Sequence, residues 1–342
     1  MVRRASWIQS PGYDLGFFIL APVLTLPIIL LELWGWGRVA LAGGILALAH
    51  YCSTFAFFAW DENRIHYRTH WLPFFAGPMV ICLAYLLLIA TEAFRTISFL
   101  LFFWNAYHVS RQSCGLLSIY RHRAGVADPR QKDVANGAIV STSLWLALWN
   151  IATHPSVLPL LTAVSPRLPG LLRLALGVVA AVTLARLARA LWRRAGGGGL
   201  RAPELAFVAT SLLLFTPYLW LPTSGGATYA MLLPHYVQYL GLLWLVHRRK
   251  FRSPEGSPAQ RALQLLSAHT VTLVGVLATV SVTFVAVRLL LVHAGHPSTF
   301  EAFYLLLAFV HFYLDALFWA FRDPHVRRML APYLMQGAVA RG

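Results

Sequence analysis

"LLLAFVHFYLDALFWAFRDPHVRR", residues 305–328, decides the fold. Its first part is an apolar run long enough to cross a bilayer, closed by Arg322, Arg327 and Arg328. In the middle of the run stand His311 and Asp315. An ionisable group at the bilayer centre costs about 2.5–3.5 kcal/mol on insertion scales, so such residues tend to be functional and to face protein or a cavity rather than lipid. The two are four residues apart and therefore share one helical face.

The rest of the chain repeats the apolar pattern. Of 342 residues 58% are hydrophobic and 12% are charged, with 12 Trp, 13 Tyr and 21 Phe, a composition that fits a polytopic membrane protein. Ten spans are expected, at 15–34, 39–60, 72–90, 97–119, 137–153, 170–191, 204–221, 228–246, 265–291 and 302–321, in a single all-α transmembrane domain. The opening "MVRRASWIQSPGYDLGFF" has a short basic start but no small-residue cleavage site after its apolar run, so it reads as a span and not a removable signal. The formal net charge of +16 lies between apolar runs. With the N-terminus in the cytoplasm, the even loops and both tails carry most of the basic residues, among them Arg3, Arg4 and Arg341. The opposite face keeps Arg38, Arg95, Arg167, Arg173 and Arg288. This is the positive-inside pattern of an inner-membrane protein with both termini cytoplasmic. The charge is thus a topology signal with some affinity for anionic lipids, and it argues against nucleic-acid binding. "RRAGGGGLRAP" (193–203) reads as a flexible tether. Cys52, Cys82 and Cys114 lie in spans with no metal or disulfide spacing and read as small buried apolar residues.

Four of the 13 histidines sit well inside spans: His50 in "LALAHYCSTF", His108 in "WNAYHVSRQS", His235 in "LLPHYVQYL" and His311. Their helices all run towards the cytoplasm. The distance to the first basic residue beyond is 14 residues for His50 (Arg64), 13 for His108 (Arg121), 13 for His235 (Arg248) and 11 for His311 (Arg322). At 1.5 Å per residue the spread is about 4.5 Å, which an ordinary tilt absorbs. Each histidine has polar company one turn away: Ser53 and Thr54 for His50, Gln112 and Asn105 for His108, Gln238 for His235, Asp315 for His311. Taken singly, an intramembrane histidine most often hydrogen-bonds a neighbouring helix. Four at one depth point to a shared task.

Three or four imidazoles with at most one carboxylate, and no thiolate set, suit non-haem iron, one ion or two. An iron with an open position can activate dioxygen beside an apolar lipid or isoprenoid substrate held among aromatic walls. The expected metal ligands are His50, His108, His235, His311 and Asp315, with Gln112, Gln238 and Asn105 as supporting polar residues. Arg111 is expected to balance Asp315 or to attract an anionic group. Tyr107 and Tyr236 are expected to donate hydrogen bonds to a ligand on the metal or to pack beside it. The many-span architecture and the late "HFYLD" helix resemble the bacterial carotene-cleaving dioxygenases. That resemblance implies one iron held by histidines within the membrane. The chain lacks that family's early histidine–glycine motif with its following aspartate, so the specific substrate is not implied.

A second cluster lies at the cytoplasmic interface. "WDENRIHYRTHW" holds His66 and His70 in an HxxxH spacing, with His122, His247 and His325 at the same level. The box is similar to the first histidine box of membrane fatty-acid desaturases and hydroxylases, which implies a second metal site, but their HxxHH boxes are absent. Two other functions remain open: a b-type haem electron-transfer protein with these histidines as axial ligands, and a proton-coupled transporter relaying through His311, Asp315 and Arg111. The enzyme reading also requires an electron donor.

Overall fold

The structure is a computed structural model that describes residues 6–24, 26–35, 39–126, 129–252 and 256–335. Arg3, Arg4, Arg38 and Arg341 of the charge pattern lie outside the described residues. Among the described residues every regular element is helical. Six helices position the residues of interest: α1 (Val39–Thr54), α2 (Asp61–Thr69), α3 (Phe94–Arg123), α4 (Ser224–Lys250), α5 (Pro297–Phe318) and α6 (Pro324–Leu334).

Their ends follow from local chemistry. Proline opens α5, where its missing N–H and fixed φ cost nothing. In "RDPHVRR" the Asp323 carboxylate accepts from the backbone N–H of His325 (2.7 Å) and Val326 (3.3 Å), so the run breaks into a capped second helix. The last turn of α4 holds His247, Arg248, Arg249 and Lys250, and that of α3 holds Arg121, His122 and Arg123. Positive charge there complements the helix dipole.

Helix stands at each of the ten expected spans, and among the described residues six stretches are long and apolar enough to cross a membrane: Leu72–Ala90, Lys132–Thr153, Leu168–Gly196, Ala202–Trp220, Val274–His293 and Ser298–Phe318. The chain is therefore a membrane protein. The first expected span is interrupted at Leu20, whereas α3 and α4 are long but carry the polar residues singled out above. Only 6% of the Leu168–Gly196 and Val274–His293 stretches and 11% of Leu72–Ala90 are buried. Leucine and valine surface on that scale is stable against lipid tails and not against water.

The chain divides into two compact units: residues 1–40, 95–238 and 334–342 form one, and residues 41–94 and 239–333 the other. In the first, the Pro129–Ala147 and Leu168–Gly196 helices approach closely where Gly177 lies under the Trp145 indole, and Ser141 and Thr183 hydroxyls meet at 2.7 Å. The Asp14 carboxylate accepts from the Gln9 N–H (2.9 Å) and the Tyr120 hydroxyl (3.0 Å). Glu204 is fully buried and takes Arg121 Nε at 3.0 Å and Arg194 at 2.5 and 2.7 Å. This corrects the reading of 193–203 as a flexible tether: Arg194 pins Glu204 and also the Gly199 carbonyl (2.9 Å), because a buried carboxylate must find its counter-charge.

In the second unit the Tyr313 ring of α5 lies directly over Gly77, a contact that a β-carbon would fill. Tyr85 donates to the Ala302 carbonyl (2.9 Å), joining the Gly77–Ala90 helix to α5. Phe284 of the Thr270–His293 helix meets Phe300 of α5 at 4.7 Å. Cys114 is buried as expected, but Cys82 is half-buried and Cys52 is exposed, facing outward from α1. A thiol is apolar enough to face lipid as readily as a core.

Candidate metal centre

Histidine pairs occur in each unit. In the second, α1 carries His50 and α5 carries His311, both fully buried. Their rings meet edge to face with centroids 4.3 Å apart, and a ring nitrogen of each lies within 4.8 Å of the other. Burial of so polar a pair is costly without partners. Thr54, one turn after His50 on α1, meets His311 Nδ1 at 2.7 Å. The Thr54 hydroxyl also lies 2.9 Å from the Tyr239 hydroxyl and 3.3 Å from Asp315 Oδ1. Tyr239 donates to the same carboxylate oxygen at 2.7 Å, and Trp319 Nε1–H points at the Tyr239 oxygen at 3.4 Å.

The hydrogen bonds of this network meet His311 at Nδ1. An ionised Asp315 can only accept, so Tyr239 spends its one hydrogen on it. Where the Thr54 hydrogen goes to Asp315 or to the Tyr239 oxygen, the Thr54 lone pairs accept from His311 Nδ1–H, and Nε2 carries the lone pair that an imidazole needs to ligate a metal; where Thr54 donates to Nδ1 instead, the ring proton sits on Nε2. Thr54, Tyr239 and Asp315 are all buried, at 0%, 1% and 6% exposure, so water does not compete for these bonds.

In the first unit, α3 carries His108 and α4 carries His235, both buried, with ring centroids 5.1 Å apart and edge to face. Gln112 Nε2 donates to the His235 carbonyl at 3.1 Å, which ties α3 to α4 beside the pair. Pro234 precedes His235 within α4 and removes one backbone donor from the ladder there. Tyr236 is fully buried, its ring 5.6 Å from that of His235. Asn105 is buried on α3. Gln238 is buried and spends its amide on the Phe18 carbonyl (2.9 Å), a helix-tying role. Tyr107 is 50% exposed, and Arg111 is exposed on α3.

The interfacial histidines form a stack in the second unit. His66 lies parallel to His325 at 3.8 Å with an interplanar angle of 4°, and stacks on His70 at 4.3 Å. His325 Nε2 meets Asn63 Oδ1 at 2.9 Å, and His70 Nδ1 meets the His66 carbonyl at 3.0 Å. Burial lowers the pKa of both His66 and His325, and the neighbouring imidazoles lower it further. The stacked rings, with His325 Nε2 at Asn63 and His70 Nδ1 at the His66 carbonyl, form a packed joint between α2 and α6. His247 is buried on α4, where it accepts from Trp60 Nε1 at 3.3 Å.

Tyr239 and Trp319 were not singled out by the sequence pattern, although the signal was present. Tyr239 lies four residues after His235, and Trp319 four after Asp315, the same one-turn spacing that marks Thr54 against His50. These buried histidines, with a carboxylate–hydroxyl network behind His311, could hold a metal ion. No protein-family model, curated protein or solved structure matches the chain.

Proposed function

We propose that the chain is a membrane-embedded non-haem iron oxidoreductase, of oxygenase or desaturase type, acting on an apolar lipid or isoprenoid. The observation that carries the reading is the His311–Thr54–Asp315–Tyr239 network packed on His50. A buried carboxylate that reaches a histidine through a hydroxyl, as Asp315 reaches His311 through Thr54, is the kind of support that metal-ligating imidazoles commonly have. His50 and His311 in one unit and His108 and His235 in the other supply imidazole nitrogen, the donor that suits iron. Asp315 is the carboxylate of this set and acts through Thr54. Bound iron would supply dioxygen activation. The chain's residues would orient the ligands, exclude water and present aromatic surface to an apolar substrate.

The resemblance to the carotene-cleaving dioxygenases agrees with this reading at the level of architecture. Ten spans, with both ends in the cytoplasm of an inner-membrane protein, belong to the same proposal and rest on the charge pattern of the sequence. The haem alternative requires a porphyrin between two imidazoles. The rings of each pair lie too close, at 4.3 and 5.1 Å, to admit one in that manner.

The test is turnover. Protein reconstituted anaerobically with ferrous iron, supplied with a reductant and a panel of membrane lipids and carotenoids, is expected to consume dioxygen and to oxidise one substrate class. Iron-loaded protein that oxidises none of them, with no substrate-dependent dioxygen uptake, refutes the function.

A further inference from the structure

The network behind His311 continues into a row of oxidisable rings. Tyr239 contacts His50 edge to face at 4.3 Å. Trp319 lies next, its ring 5.9 Å from that of Tyr239 and its N–H directed at the phenolic oxygen. Phe57 bridges onward, 5.5 Å from Trp319 and 4.9 Å from Trp60. Trp60 is fully buried, and Lys250 Nζ sits 4.8 Å over its ring. Lys250 in turn pairs at 2.7 Å with Glu62, whose side chain is 49% exposed. All these residues belong to the second unit.

Aromatic packing alone would account for rings in contact, since such pairs are common in cores. It does not account for where the hydrogens point. Tyrosine and tryptophan are the aromatic side chains that give up an electron most readily, and each then tends to shed its O–H or N–H proton. Tyr239 directs that proton at the Asp315 carboxylate, and Trp60 directs its own at the His247 imidazole. Both acceptors are buried, so water does not compete for these hydrogen bonds.

We infer that Tyr239, Trp319 and Trp60 form an electron path between the His50–His311 pair and the Glu62–Lys250 surface. The inference rests on the metal-site reading above and adds the route by which reducing equivalents reach it. Tyr239 would give one electron to an oxidised metal held by His50 and His311, and its phenolic proton to Asp315. The tyrosyl radical is then refilled by one electron from Trp319 as the proton returns from Asp315. Trp319 is refilled from Trp60 across Phe57. Trp60 is refilled by an external one-electron reductant of the flavin or iron–sulfur class docking at the exposed end. The net change is one electron from that reductant to the metal, with no ring gaining or losing a proton.

The test uses full-length protein loaded with ferrous iron, its metal content measured first, then oxidised with hydrogen peroxide and freeze-quenched for electron paramagnetic resonance. The expected result is an organic-radical signal that narrows when the protein carries ring-deuterated tyrosine and is lost in Tyr239→Phe. Added dithionite is expected to quench it roughly tenfold more slowly in Trp319→Phe and in Trp60→Phe, a rise of about 1.4 kcal/mol in the barrier. The deuterium label needs no substitution and so stands even if a variant fails to fold. Full iron with no tyrosyl signal, a signal that survives Tyr239→Phe, or quenching unaffected by both tryptophan variants would overturn the path alone. Wild-type protein that binds no iron would overturn the path together with the metal site.

Discussion

At the scale of single residues, the account turns on Thr54. Its hydroxyl joins His311 Nδ1 at 2.7 Å to the Asp315–Tyr239 bond, and so holds the imidazole by that nitrogen. Thr54→Val keeps the shape and removes the bridge. The expected outcome is a loss of about 10–100-fold in iron affinity, the usual effect of deleting a second-shell partner, measured by anaerobic iron titration. His311→Ala removes a ligand outright and is expected to lower iron content while insertion into the membrane is unchanged. The sequence marks His311, Asp315 and Thr54 because their one-turn spacing is visible. It could not mark the bond from Tyr239, because two helices far apart in the chain meet there and only packing decides which faces touch.

At the scale of elements, two joints carry predictions. Glu204 holds Arg121 of α3 and Arg194 of the Leu168–Gly196 helix from a fully buried position. Glu204→Gln leaves two guanidinium groups without their counter-charge and is expected to cost about 3–5 kcal/mol, read as a lower thermal unfolding temperature in detergent. The sequence pattern missed this joint because a glutamate at the start of a span and an arginine at the end of another both look like surface charges. Only the fold turns them inward. The second joint is the His70–His66–His325 stack between α2 and α6. Burial and mutual repulsion hold the pKa of His66 and His325 below the ordinary 6.5 in the folded protein. The unfolded chain therefore binds protons first as pH falls, and the joint weakens from about pH 6.5 downward. Backbone hydrogen exchange over α2 and α6 is expected to speed up at pH 5 relative to pH 7.5, after correction for intrinsic rates. Equal protection at both values would contradict the stack as drawn.

At the scale of the whole molecule, apolar composition and helical periodicity made the class legible: every regular element among the described residues is helical, and six stretches there are fit to cross a membrane. The remaining expected spans were legible only as helix. α3 and α4 are diluted by the polar residues that make them interesting, and the first span is interrupted at Leu20. Hydropathy and function compete for the same positions there. The ten-span topology gives an explicit expectation for access. With Cys52, Cys82 and Cys114 replaced, Ala124→Cys should react with an impermeant thiol reagent from the cytoplasmic side only. Ala294→Cys should react from the opposite side only. Labelling of both from one side would require a different number of crossings.

The central claim is that buried histidines hold a metal, and its most direct measurement is elemental analysis with an absorption spectrum of the detergent-purified protein and of single alanine variants at His50, His108, His235 and His311. The account predicts about one or two irons per chain, no Soret band, and loss of iron in each variant while the protein still inserts. Full metal occupancy in two or more of the variants would contradict it.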